Sequence, residues 1–411
     1  MVGTRAVAAG FLVFASVCGV LTRDVSAAEP TAAELQQKFQ ETIVSSRLVL
    51  DIKEGRLSGP GAAFLKARAG ASQFVFIGEE HGVATIADVV RAMLPDLSAA
   101  GYRHFAVEVD PYMAGKLEAL LRAGGTDALA KFLAVDGQQF AVPFFNWSAE
   151  AALANAAVKA NAAPALWGLD QSFIGAAYVL LSDVAAQAST GEARALAAAL
   201  AAKAKGNLEF LGKADLGELQ KLRDLLSAEA DRPLAQLLDD MILSARIYQP
   251  FVGVDGGLSV YGANLERENF MKRTFLARYR AAGGPKVFFK FGANHMMRGL
   301  SSTHVPSLGQ FVSDVALTEG KAAFHLLILC GPGTKAGDLM GNAAACDIDL
   351  AKAVPELSTH LDAKLPTLFD LGPWKDKPRR WAHLPEDLRA MIWAFDAVLV
   401  VPNGIPAKPL K

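Results

Sequence analysis

The sequence predicts an α/β fold in which a mainly parallel sheet is flanked by helices and a helical insertion forms part of a cleft wall. Three observations carry that expectation. Short β-branched and aromatic runs alternate with amphipathic stretches along most of the chain, as in parallel sheets built from crossover units. Two of these runs, Val75-Phe76-Ile77 and Phe288-Phe289-Lys290-Phe291, stop at a glycine that opens Gly-x-x-His, first Gly78-Glu79-Glu80-His81 and then Gly292-Ala293-Asn294-His295. Between residues 174 and 249 no run reads as a strand, while several read as helices.

The elements follow in order. Arg5, an apolar stretch over 6–21 and the small residues Ser26-Ala27-Ala28 describe a signal peptide over 1–28, cleaved after Ala28, so the mature protein is expected in the periplasm or secreted. Residues 32–48 read as a helical lead-in. Strands are expected at 74–77, 105–107, 165–167, 286–291, 323–329 and 397–401, with helices at 85–97, 111–121 and 265–281 between several of them. The insertion, about 174–262, includes alanine-rich 193–205 and charged 216–228, both made of good helix formers. Because the strands on either side must share one sheet, residues 29–411 read as a single domain.

Composition limits the function. With 411 residues, 52% of them hydrophobic, the chain can bury a large core and is too apolar to be disordered. Its 41 basic and 42 acidic residues give a net charge of −1, without the basic footprint that nucleic acid requires. Beyond the leader no segment has the roughly 18 apolar residues of a membrane span. Cys330 and Cys346, the even pair left after the leader, are expected to form a disulfide in an oxidising compartment.

Polar residues gather at the strand ends. Glu79, Glu80 and His81 follow the first strand, Glu108 and Asp110 the second, Asp170 and Gln171 the third, and His295 the strand that ends at Phe291. In a parallel sheet these ends share one edge, where open α/β folds bind ligands. Two imidazoles and a carboxylate (His81, His295, Glu108) could hold a divalent metal that activates water. Alternatively, a glutamate orients a histidine general base while Arg267 stabilises an oxyanion or clamps a carboxylate.

Several residues carry a plainer reading. Glu79 and Glu80 alternate along extended backbone, so one of them is expected to face the cleft. Asp170 suits a helix cap as well as a substrate contact. Glu268 has the i,i+4 spacing of a surface pair with Lys272. Gly331-Pro332-Gly333-Thr334-Lys335 lacks phosphate-loop spacing and reads as a turn, and neither a Gly-x-Ser-x-Gly elbow nor a His-Glu-x-x-His helix occurs.

Taken in order, Ile77-Gly78-Glu79-Glu80-His81-Gly82, Val107-Glu108-Val109-Asp110, Gly168-Leu169-Asp170, Arg267-Glu268-Asn269-Phe270-Met271 and Gly292-Ala293-Asn294-His295 resemble the erythromycin esterase and ChaN-like (Tiki) superfamily. The last strand, Phe395-Asp396-Ala397-Val398-Leu399-Val400-Val401, resembles it too. The resemblance implies an α/β fold with a cleft of glutamates and histidines. Its branches comprise macrolactone esterases, Tiki-type metal-dependent proteases and ChaN-like haem- or iron-binding proteins. It implies catalytic or ligand positions at Glu80, His81, Glu108, Arg267 and His295, and Glu79, Asp170 and Glu268 are expected beside them as substrate-binding residues. Glu268 stands where the esterases more often carry aspartate, and the insertion differs in composition from a macrolide pocket. The expectation is an exported hydrolase of ester or amide bonds acting on a small-molecule or peptide substrate, with or without a divalent metal. The alternative is a haem- or iron-binding uptake protein without turnover.

Overall fold

The computed structural model describes residues 31–346, 355–375, 381–382 and 384–411. The leader expected at 1–28 lies outside these residues. Among the described residues twelve strands follow in chain order: β1 (Arg47–Val49), the hairpin β2 (Asp51–Lys53) and β3 (Arg56–Ser58), β4 (Phe74–Glu79), β5 (His104–Val107), β6 (Leu166–Gly168), β7 (Val287–Gly292), β8 (Ala323–Cys330), a second hairpin β9 (Thr334–Ala336) and β10 (Ala343–Ala345), β11 (Thr367–Asp370) and β12 (Ala397–Val401). Eight of them form one sheet in the order β1-β11-β12-β8-β4-β7-β5-β6. The six from β12 to β6 are parallel; β11 and β1 extend one edge in antiparallel fashion.

The parallel strands are the six expected from apolar runs. β1 and β11 were not anticipated, because three or four residues are too few to show a period. The expected lead-in helix therefore stops early: α1 spans Ala32–Ser46, and Arg47 already belongs to β1.

Alternation along the central strands sorts their side chains onto two faces. Val75, Ile77 and Phe288 join the apolar cluster beneath α3 (Ala84–Ala99), α4 (Pro111–Leu133) and α5 (Ser148–Ala160), which follow α2 (Pro60–Ala71). The insertion helices α6 (Ala177–Gln187), α7 (Gly191–Ala204), α8 (Leu216–Leu225) and α9 (Arg232–Tyr248) bury Leu180, Leu200, Leu219 and Leu238 in this same cluster. On the other face, Phe74, Phe76, Phe289 and Phe291 pack against Met271, Phe275 and Tyr279 of α10 (Val260–Ala281). Each such side chain contributes about 1.5–3 kcal/mol when removed from water.

β4 and β7 are immediate neighbours, with Ile77 opposite Lys290 and Glu79 opposite Gly292. The two Gly-x-x-His turns thus leave the sheet side by side. A disulfide joins Cys330 and Cys346 across the β9–β10 hairpin. Among the described residues, no helix is long and apolar enough to cross a membrane.

Candidate active site

At the carboxyl edge of β4, β7 and β5, a cavity of about 470 Å³ is bordered by Glu79, Glu80, His81, Glu108, Arg267, His295 and Lys335, among others. Glycine at 292 is a matter of space: a Cβ there would lie 2.7 Å from Nε2 of His81. The His81 ring crosses over the end of β7 and stacks on Phe144, with ring centroids 4.2 Å apart.

The two histidines are held alike. Nδ1 of His81 donates to Oε1 of Glu79 at 3.0 Å, and Nδ1 of His295 donates to Oε1 of Glu268 at 2.6 Å. Both Nε2 atoms then face one carboxylate: His81 lies 3.4 Å from Oε2 of Glu108, and His295 lies 3.4 Å from Oε1. Glu108 also accepts from Nη2 of Arg267 at 2.9 Å and from the Gly292 amide at 2.8 Å. Arg267 is in turn held by Asp170, through Nε at 2.9 Å and Nη2 at 2.5 Å.

Beneath this layer lies a second ion network. Lys290, buried in β7, donates to Glu79 at 2.5 Å and to Glu150, in the first turn of α5, at 2.7 Å. On the cavity's other side Lys335 stands 3.8 Å from Glu80.

Charge sets the protonation states. Burial acts to lower the His81 pKa, but the carboxylates of Glu108 and Glu79 outweigh it and raise it to about 10. Burial likewise opposes protonation of His295, and Glu108 with Glu268 overcomes both that and the repulsion of Arg267, raising it to about 9. Burial would raise Glu108, yet the two imidazolium charges hold it well below the usual carboxylate range. Near neutral pH the centre is therefore one carboxylate between two imidazolium rings. Such perturbed groups converging in one cleft mark a candidate functional site.

Several expectations need correction. Both Glu79 and Glu80 border the cavity, because β4 ends at Glu79 and the chain turns there. It is Glu79, set aside for substrate, that holds His81. Asp170 is neither a helix cap nor a cavity-lining side chain: it fixes Arg267. Glu268 is no surface pair with Lys272, since it is buried and bonded to His295, while Lys272 donates to the Pro306 carbonyl. The run ending in Lys335 is more than a turn, because β9 brings that lysine to the cavity wall. Lys290 and Glu150 were missed altogether. The available signal was a lone charge within the apolar run Val287–Gly292.

The donor set does not fit the expected metal. Among the described residues, no group of three or more His, Cys, Asp or Glu side chains is arranged to hold an ion. A larger groove of about 540 Å³ beside the insertion, lined by Leu133, Phe140 and Ile174 among others, contains no histidine and is set apart from this chemistry.

No protein-family profile matches the chain, and no curated protein matches it in sequence. Solved structures do match in fold. A mutant erythromycin esterase in its open conformation superposes with a TM-score of 0.61 at 13% identity, over 89% of this chain and 99% of that one. A succinoglycan biosynthesis protein gives 0.63 at 14% identity, over 92% and 99%. A Bacillus cereus protein gives 0.59 at 13% identity, over 93% and 100%. The chain has the α/β fold of that erythromycin esterase and of the succinoglycan biosynthesis protein, along almost their whole lengths.

Proposed function

We propose that the chain is an exported hydrolase of ester or amide bonds. One observation carries this reading: two imidazoles, each fixed at Nδ1 by a buried carboxylate, turn Nε2 toward a shared glutamate at the cavity. A carboxylate on Nδ1 sets the tautomer and orientation of a histidine that transfers protons through Nε2. The fold shared with an erythromycin esterase supports the reaction class. The disulfide and the leader-like segment support export.

In this mechanism one imidazole, in its neutral form, takes a proton from water as the oxygen attacks the substrate carbonyl. The other, still protonated, hydrogen-bonds the oxyanion and passes its proton to the leaving group as the C–O or C–N bond breaks, so that the two rings end with their protonation states exchanged. Glu79 and Glu268 hold the rings, and Arg267 with the Gly292 amide holds Glu108 in place between them. No step passes through a metal.

Alanine at either His81 or His295 is expected to lower kcat/KM about 10²–10⁴-fold. The check is a panel of aryl, alkyl and peptide substrates, with circular dichroism on each variant. Unchanged turnover in a folded variant would remove the hydrolase reading.

The protonation states set the pH dependence. Because the imidazoles are protonated below about 9 and about 10, the state with one neutral ring is scarce at pH 7. Its population, and with it kcat/KM, is expected to rise about tenfold per pH unit until near 9, and to fall once the second proton leaves. Stability runs the other way. Folded values raised above the ordinary 6.5 contribute stability that is complete below pH 6.5 and is lost as pH climbs through 9 and 10. Rate profiles and urea midpoints measured from pH 6 to 10.5 test both trends.

A further inference from the structure

We propose that Lys335 is a substrate-binding residue of this cavity, taking a negatively charged substrate oxygen, and that the Cys330–Cys346 disulfide holds it in position. This deepens the hydrolase reading and rests on it for the nature of the substrate.

The β9–β10 hairpin is seated directly against the catalytic turn. The amide of Ala336 donates to the carbonyl of Gly82, the residue after His81, at 2.8 Å. Only glycine allows that approach: Gly82 has φ +84°, and a Cβ there would lie 2.6 Å from the Ala336 carbonyl oxygen. Alternation along β9 then divides its side chains. Ala336 packs with Trp147 and Ala407, and against Phe144, the ring on which His81 stacks. Lys335 projects the other way, onto the cavity wall.

Its surroundings suit an ammonium that meets a ligand. The side chain is 14% exposed, and Glu80 at 3.8 Å keeps the charged head directed inward. Arg267, the other permanent cation of the cavity, has Nε and Nη2 engaged with Asp170 and Glu108. It therefore positions Glu108, while Lys335, with three N–H donors on its ammonium, brings a second permanent positive charge to the cavity wall that β9 forms.

The disulfide adds a covalent tie to the hydrogen bonds that seat the hairpin. β9 and β10 pair over three residues each, and a two-stranded hairpin of that size is marginal on its own. A covalent link between residues 16 apart closes the loop at its base and removes most of its open conformations. Lys335 is thereby held where its long stem would otherwise wander.

Calorimetry with a phosphonate monoester, an anionic tetrahedral probe, tests the proposal without requiring turnover. Lys335→Met is expected to raise its Kd about tenfold, the weight of one hydrogen bond to a charged group, and Lys335→Arg to restore most of the affinity. Replacing both cysteines by serine is expected to weaken binding as much, and adding Lys335→Met to that variant to weaken it no further. If the serine variant does not fold, reduction of the folded wild type by a water-soluble phosphine takes its place. That reagent and one water convert the disulfide to two thiols and a phosphine oxide, with the sheet followed by circular dichroism. An unchanged Kd in Lys335→Met, or no binding by wild type, overturns the role of Lys335; additive losses overturn that of the disulfide. Ester turnover on the same samples separates the two readings, since probe binding without hydrolysis counts against the hydrolase alone.

Discussion

Glu108→Gln is expected to move the acid limb of the pH–rate profile down from about 9 toward 6.5 and to lower the maximal kcat/KM about 10²-fold or more. The substitution keeps shape and removes charge. Glu108 is the largest influence raising both imidazoles against their burial, so without its anion protonation loses its main support and both pKa values fall. More neutral imidazole would then exist at pH 7. The rate ceiling nevertheless drops, because the amide keeps one acceptor oxygen but turns an NH2 donor toward Arg267, His81 or His295, which are themselves donors. Histidine NMR titrations beside the rate profile separate the two effects. An unmoved limb with full activity would show that Glu108 does not govern the imidazoles.

Lys290→Met is expected to cost about 3–5 kcal/mol of stability, the usual result of removing one partner from a buried ion network. Lys290, Glu79 and Glu150 are each about 95% buried, and the ammonium is the shared partner of the two carboxylates. Burial by itself would lower the lysine; Glu150 and Glu79 outweigh it and raise it, so the lysine is charged in the folded state. Without it two like charges face each other in an apolar setting, and their folded pKa values must rise. Groups raised in this way cost stability as pH climbs through them, so the defect should be greatest at neutral pH and shrink as pH falls toward 4.5. Urea unfolding at both pH values measures this. Adding Glu150→Gln should recover a large part of the loss, because an amide leaves no unpaired charge beside Glu79.

These networks also show why parts of the site could be read early and parts could not. His81, Glu108 and His295 each stand just past an apolar run, and the parallel arrangement of such runs was enough to bring them to one edge. The choice between Glu79 and Glu80 was misjudged because alternation stops where β4 stops. Asp170 and Arg267 are 97 residues apart, and Glu79 and Lys290 are 211 apart. Nothing local to any of these residues announces its partner. Glu268 is the plainest case: the opposite charge one turn along the helix is Lys272, yet it is bonded to His295, 27 residues away.

The chain by itself determined the six parallel strands, the helical character of the insertion and the two histidine turns, because periodicity and the stop at glycine are written in consecutive residues. Tertiary structure alone decided that β4 and β7 are neighbours, that β1 and β11 close the sheet edge, and that the β9–β10 hairpin presents Lys335 to the cavity. The same assembly decided what each charge does. A carboxylate's role and pKa follow from what lies within a few ångströms of it, and that is set by strand order and burial rather than by its neighbours in the chain.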